Sequence, residues 1–205
     1  MTGAAARRVH IIACGALARE VLAVLAANRL DHVSVECLPA LLHNRPEAIP
    51  AAVRAAIGTA RAASPSPLRI LVGYADCGTG GGLDAVLAEL GVERLPGPHC
   101  YAFYSGVERF AAAAEADMRA FYLTDFLARQ FDTLVIEGLG LDRHPELRDS
   151  YFGAYEKVVY LAQTEDADLR QAAVRAAERL GLALEIRTVG FGDLDRAITR
   201  FADAA

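Results

Sequence analysis

The chain has 205 residues, 54% of them apolar, and carries a formal charge of −5. That is enough apolar material for a substantial core without staples, and the charge is dispersed, so no basic stripe is present to neutralise nucleic-acid phosphates or anionic lipid. Every apolar segment is broken by charge well short of bilayer length, no signal peptide is read, and the four cysteines form no close pairs, so the expectation is a soluble cytoplasmic protein without membrane or nucleic-acid partners.

Met1 to Arg8 reads as a short polar arm and residues 9–205 as one domain. The run Val9-His10-Ile11-Ile12-Ala13 is short and β-branched, stops at Cys14-Gly15, and precedes a helix-period stretch from Ala16 to Leu30. A second strand over Val33 to Leu38 leads to Leu42-His43-Asn44-Arg45-Pro46 and an Ala-rich helix from Glu47 to Ala63. Beyond Ser64-Pro65-Ser66-Pro67, the most buried-looking strand, Arg69 to Tyr74, ends in Asp76-Cys77-Gly78-Thr79-Gly80-Gly81-Gly82 before a helix from Leu83 to Leu90. A minimal strand, Glu93 to Leu95, runs into Pro96-Gly97-Pro98-His99-Cys100 and the aromatic segment Tyr101-Ala102-Phe103-Tyr104.

The remainder continues the alternation. Strand Ala120 to Leu123 is followed by Thr124 as N-cap of a helix from Asp125 to Phe131, and Thr133 to Glu137 reads as another strand, ending at Gly138-Leu139-Gly140-Leu141-Asp142-Arg143-His144-Pro145. Strand Lys157 to Ala162, helix Asp166 to Leu180, strand Leu184 to Thr188 and helix Leu194 to Phe201 complete the chain. This order predicts an α/β fold with a mostly parallel sheet and helices on both faces, a Rossmann-like layered architecture.

Cys14, Cys77 and Cys100 each follow a strand, which is where loops converge and ligands collect in open α/β sheets. Their spacing matches no ribbon motif; convergence is the whole argument. Three thiolates with an open fourth position suit a reactive centre, either a zinc ion or a 4Fe–4S cluster with one iron left free, because structural zinc sites are closed by four protein ligands. Gly15, Gly78, Gly80 and Gly81 would let a bulky or anionic guest approach the backbone. Buried free cysteine also serves as a small hydrophobe, and Cys37, inside a strand, is assigned to the core. His99 adjoins Cys100 as a fourth ligand, an outer partner or a proton donor, and His43, His144 and Asp142 are the other acid–base candidates. His43 and His144 sit in Pro-flanked turns where a cap or solvated loop is the alternative, Asp76 and Asp142 could orient a ligand or close a turn, and His10 and His32 read as structural.

The segments Ile12-Ala13-Cys14-Gly15-Ala16-Leu17, Leu42-His43-Asn44-Arg45-Pro46-Glu47, Gly73-Tyr74-Ala75-Asp76-Cys77-Gly78, Pro98-His99-Cys100-Tyr101 and Gly138-Leu139-Gly140-Leu141-Asp142 together resemble a bacterial and archaeal domain-of-unknown-function family, the one numbered 1638. The resemblance implies no established reaction; by association it implies company with corrinoid-dependent methyltransferase systems. Three functions follow as expectations: a metalloprotein of one-carbon or corrinoid metabolism acting on a small-molecule substrate or corrinoid protein, a non-catalytic partner or chaperone of a corrinoid protein or its metal, and a thiol enzyme with Cys77 as nucleophile. Symmetric homodimerisation is the default assembly.

Overall fold

The computed structural model describes residues 8–203, so Met1 to Arg7 of the expected arm lie outside the described residues, and Arg8 already belongs to the first strand. In chain order the elements are β1 (Arg8–Cys14), α1 (Ala18–Ala27), β2 (Val33–Leu38), α2 (Ile49–Ala63), β3 (Leu68–Gly73), α3 (Gly82–Leu90), β4 (Glu93–Arg94), α4 (Cys100–Ser105), α5 (Val107–Ala112), β5 (Ala120–Thr124), α6 (Asp125–Arg129), α7 (Arg148–Phe152), β6 (Lys157–Ala162), α8 (Ala167–Leu180), β7 (Ala183–Thr188) and α9 (Asp193–Asp203). Both sheets are parallel and carry helical crossovers, which makes this a layered α/β protein. Among the described residues no helix is long and apolar enough to cross a membrane. The chain divides into two compact units, Met1–Phe103 with Asp193–Ala205, and Tyr104–Gly192.

In the first unit the strand order is β2-β1-β3-β4. β1 and β3 are central and buried on both faces, as their unbroken apolar runs require, with Val9, Ile11, Ile12, Ile70, Leu71 and Val72 nearly inaccessible. Each such side chain contributes about 1.5–3 kcal/mol relative to exposure. α1 packs with α9, and α2 with α3. Arg69 fixes α9 to the sheet: its guanidinium lies 3.9 Å from the centre of the Phe201 ring and donates to the Phe201 carbonyl at 2.6 Å. The expectation for His10 as a structural residue agrees with its ring nitrogen Nδ1 bonding Ser34 Oγ at 2.8 Å on the neighbouring strand.

The chain leaves β1 for β2 on one side and later returns to place β3 on the other, so the direction of winding reverses between β1 and β3. The strand ends at such a reversal are where open α/β sheets gather ligands. Gly15, the first residue past β1, sits against the end of β2, and a Cβ there would lie 2.9 Å from the Leu38 carbonyl oxygen and 3.3 Å from the Ala40 nitrogen. Both are backbone atoms that cannot swing aside. Gly15→Ala is therefore expected to cost about 1–3 kcal/mol, read as a lower urea midpoint with unchanged slope.

The second unit carries β5-β6-β7. Its central strand β6 has Val158, Val159, Tyr160, Leu161 and Ala162 all at 0% exposure, and Leu123, Phe131, Ile136, Ala173 and Ala177 belong to the core around it. Thr124 is the N-cap of α6, its hydroxyl accepting from the Leu127 N–H, and Asp166 caps α8 by accepting from Asp168 and Leu169. The strand expected over Thr133 to Glu137 is instead a π-helix, Asp132–Glu137. The reason is visible in the burial: Ala128, Phe131, Val135 and Ile136 are the buried positions, a helical spacing continued from α6, while Thr133 is exposed.

A charge network holds the start of the second sheet. Asp117, its side chain 1% exposed, accepts two bonds from Arg187 at 2.5 and 2.9 Å and one from the Tyr122 hydroxyl at 2.8 Å, with Lys157 Nζ 2.9 Å away. The Arg187 guanidinium, and then Lys157 and Tyr122, hold this carboxyl well below the usual carboxylate range against the opposing effect of burial. A carboxyl whose folded pKa is depressed contributes stability above its unfolded pKa, near about 3.9, and loses it as pH falls through the folded value. The stability gap between the native protein and Asp117→Asn should therefore be widest at neutral pH and narrow in acid below about pH 4, as urea unfolding at several pH values will read.

Candidate functional site

Three loops of the first unit carry the candidate cysteines. Cys14 is the last residue of β1, extended in backbone (φ −65°, ψ 134°) and buried at 5% exposure. Cys77 lies in the turn between β3 and α3 with φ +51°, a left-handed conformation unusual for a residue with a side chain, and is followed by Gly78, Gly80 and Gly81 at φ +83°, +60° and +85°. Cys100 opens α4.

The second and third loops are stitched together. The Asp76 N–H donates to the Gly97 carbonyl at 3.2 Å and the Cys77 N–H to the Pro98 carbonyl at 2.9 Å, so the backbone before Cys100 is tied to the backbone that carries Cys77. Arg94 secures the same loop from outside, clamping Asp84 with two bonds at 2.5 and 2.9 Å while donating to the Leu95 carbonyl at 2.7 Å. The His43-to-Pro46 segment meets the Cys77 turn from the β2 side: a Cβ on Gly78 would touch Pro46 at 3.5 Å.

The three thiols act on one another electrostatically. Burial pushes all of them up; Cys77 reaches about 11, raised further by Cys14 and Asp76 and partly relieved by a backbone hydrogen bond and Arg94. Cys100 is raised first by burial, then by Cys77 and Cys14. For Cys14 burial is opposed by the Ala16 backbone and the Tyr74 hydroxyl, with Cys37 raising it. Each of the three is thus harder to ionise than a free cysteine.

Cys37 departs from the expectation of a core residue: it is exposed. β2 is an edge strand, covered by β1 on one side only, and the register that pairs Ala13 with Cys37 brings this fourth thiol close enough to act on Cys14. The second residue not anticipated is Tyr74. It follows β3, where the Ala13–Gly73 pairing aligns it with Cys14; it is 1% exposed, and its hydroxyl has no hydrogen-bond partner. Burial, and then the nearby Cys14 thiol, push its ionisation up.

Among the histidines, His43 and His99 come near one another: the whole His43 residue is exposed, yet crowding strips its ring of water and lowers its pKa, and the His99 charge lowers it further. His99 itself is exposed and tilts against Tyr101, ring centres 6.2 Å apart. His144 and Asp142 belong to the second unit, where His144 Nδ1 lies 3.2 Å from Glu146 and Asp142 lies 3.7 Å from Arg143. The glycine turn already holds an anion of its own. Asp76 accepts from the Gly81 N–H at 2.9 Å, the Gly80 N–H at 3.3 Å and the Thr79 hydroxyl at 2.7 Å, and these donors keep its carboxyl below the usual range, Gly81 foremost.

Sulfur donors of this kind suit soft or borderline metals, zinc and iron–sulfur clusters above all. Among the described residues no three His, Cys, Asp or Glu side chains already stand in a metal-coordinating arrangement. A groove of about 500 Å3 in the second unit, lined by Arg129, Asp132, Asp168, Arg175 and Arg179, is charged but contains neither thiol nor imidazole.

A layered parallel α/β protein is the class that the fold defines. The chain belongs to the family described as Protein of unknown function (DUF1638), whose model matches residues 37–198, from Cys37 through Cys77 and Cys100, with Cys14 ahead of the matched region. No curated protein and no solved structure matches the chain.

Proposed function

We propose that Cys14, Cys77 and Cys100 bind a metal, as a zinc ion or a 4Fe–4S cluster with one coordination position open, and that the protein serves one-carbon or corrinoid-dependent methyl metabolism. What supports the metal reading is the placement of Cys14, Cys77 and Cys100 in loops of the first unit, two of which are tied together by the Asp76–Gly97 and Cys77–Pro98 backbone bonds. A cation would replace the thiol protons, and closure of the three loops around it would supply the coordination geometry. The open position would take a thiol acceptor on zinc, or substrate on the free iron, with His99 as the nearest imidazole to Cys100 in sequence and His43 beside it as proton donor or acceptor. The corrinoid setting comes from family association alone, and a zinc-activated thiol is the chemistry that would accept a methyl group there.

A second reading keeps the cysteines and drops turnover: the protein binds or chaperones a corrinoid protein or its metal. Metal-loaded protein supplied with methylcobalamin and a small thiol separates the two. Demethylation lost in Cys77→Ala fits the first reading; tight corrinoid binding without turnover fits the second; neither binding nor turnover contradicts both corrinoid roles.

A further inference from the structure

The charged groove of the second unit takes no part in the cysteine chemistry. Its volume of about 500 Å3 is within the range of sites for small organic molecules, and its walls come from α6, the start of the π-helix that follows, and α8. Three arginines line it. Arg179 is paired with Asp132, the first residue of the π-helix, whereas Arg129 of α6 and Arg175 of α8 have no acidic or hydrogen-bonded partner among the described residues. Arg175 and Arg179 stand four residues apart on one face of α8, a spacing at which like charges repel. Among the acids of the groove, Asp132 is engaged with Arg179, and Asp166 caps α8 by accepting from the Asp168 and Leu169 N–H groups at 2.9 and 3.2 Å. Asp168 remains, two turns of α8 before Arg175 and so about 10 Å away along the helix axis. Two guanidiniums are therefore left unopposed at one end of the groove. π-Helices are rare and often mark functional sites, and this one begins at the groove and sets the Asp132 carboxylate against Arg179.

We propose that this groove binds a small organic dianion, a phosphate monoester or a dicarboxylate, with Arg129 and Arg175 donating to its oxygens. A guanidinium is permanently charged and presents paired N–H groups that match carboxylate and phosphate oxygens, and two free cations match two negative charges. Phe131 and Leu169, each 5% exposed, supply an apolar lining for a short carbon skeleton. Asp168 repels negative charge at the far end, which selects against longer polyanions. The site is separate from the cysteines and independent of the metal reading.

Calorimetric titration of the full chain with glycerol phosphate, succinate and inorganic phosphate, in about 0.15 M sodium chloride to screen loose surface attraction, tests this. One organic dianion should bind per chain, and Arg129→Gln and Arg175→Gln should each weaken it about 10-fold, the loss expected for a hydrogen-bonded charge contact. Both arginines are exposed and unpaired, so the melting temperature of each variant should match that of the native protein. Asp168→Asn, which removes no positive charge, should bind at least as tightly as the native chain. Tighter binding of glycerol phosphate than of succinate assigns the phosphate monoester, and the reverse order assigns the dicarboxylate. Inorganic phosphate bound as tightly as either organic ligand overturns the inference, since the groove would then recognise charge alone. Binding that survives both arginine substitutions overturns it too, as does the absence of binding by either organic dianion at concentrations up to about 10 mM. A melting temperature lowered in both arginine variants assigns these side chains to the fold and likewise overturns it.

Discussion

Replacing Asp125 by alanine is expected to destabilise the second unit by about 3–5 kcal/mol. The carboxylate sits at the start of α6, 2% exposed, and accepts from the Tyr160 hydroxyl at 2.7 Å, the Gln163 and Thr164 N–H groups at 3.0 Å each, and the Thr164 hydroxyl at 2.5 Å. It therefore satisfies the backbone at the end of β6 and couples it to the turn that begins α6, while its own N–H donates to Gln163 Oε1 at 2.7 Å. Alanine would strand four donors, at least two of them buried, and a lost partner to a charged group is the more expensive kind. Thermal unfolding should move down by about 10 °C at this chain length. Asp125→Asn, which keeps shape and one acceptor oxygen, should lose less; equal losses would mean that the charge contributes nothing.

The second large effect concerns metal uptake. Cys14→Ala, Cys77→Ala and Cys100→Ala should each weaken zinc binding by more than the roughly 10- to 100-fold that loss of an outer partner costs, because a direct ligand is removed. Cys37→Ala should leave affinity within a few-fold of the native protein, since Cys37 is exposed on the edge strand and is assigned no coordination role. Equilibrium competition for zinc separates these cases. A protein in which Cys37→Ala is as damaging as Cys77→Ala would move the fourth thiol into the site and close the position proposed to be open.

Local sequence carried much of this. β-branched runs ended by Cys-Gly or Asp-Cys-Gly mark strand ends whatever the tertiary context, so the loops bearing Cys14 and Cys77 were legible, as were the Thr124 cap and the bounds of β2 and β6. Thr133 to Ile136 was misread because four apolar or β-branched residues in a row look like a strand until their neighbours Ala128 and Phe131 reveal the helical spacing. Cys37 was misplaced because alternation along a strand does not say whether it lies at the centre or the edge of its sheet. Two features depend on contacts that no local pattern encodes. The Asp76 carboxylate occupies the N–H groups of the glycine turn that composition alone offers to an external anion, and Tyr74, which reads as the last apolar residue of a core strand, acquires its place beside Cys14 only through strand register.

The measurement that bears most directly on the three-cysteine site is the metal and sulfide content of the full chain purified without oxygen, with its absorption spectrum, for the native protein and the three Cys→Ala variants. The proposed site predicts either one zinc per chain in a colourless protein or a brown, oxygen-sensitive protein with iron and sulfide in equal amounts, the metal lost from all three variants. A native protein that is colourless, free of metal and unable to take up zinc, with all three variants folded as it is, would contradict it.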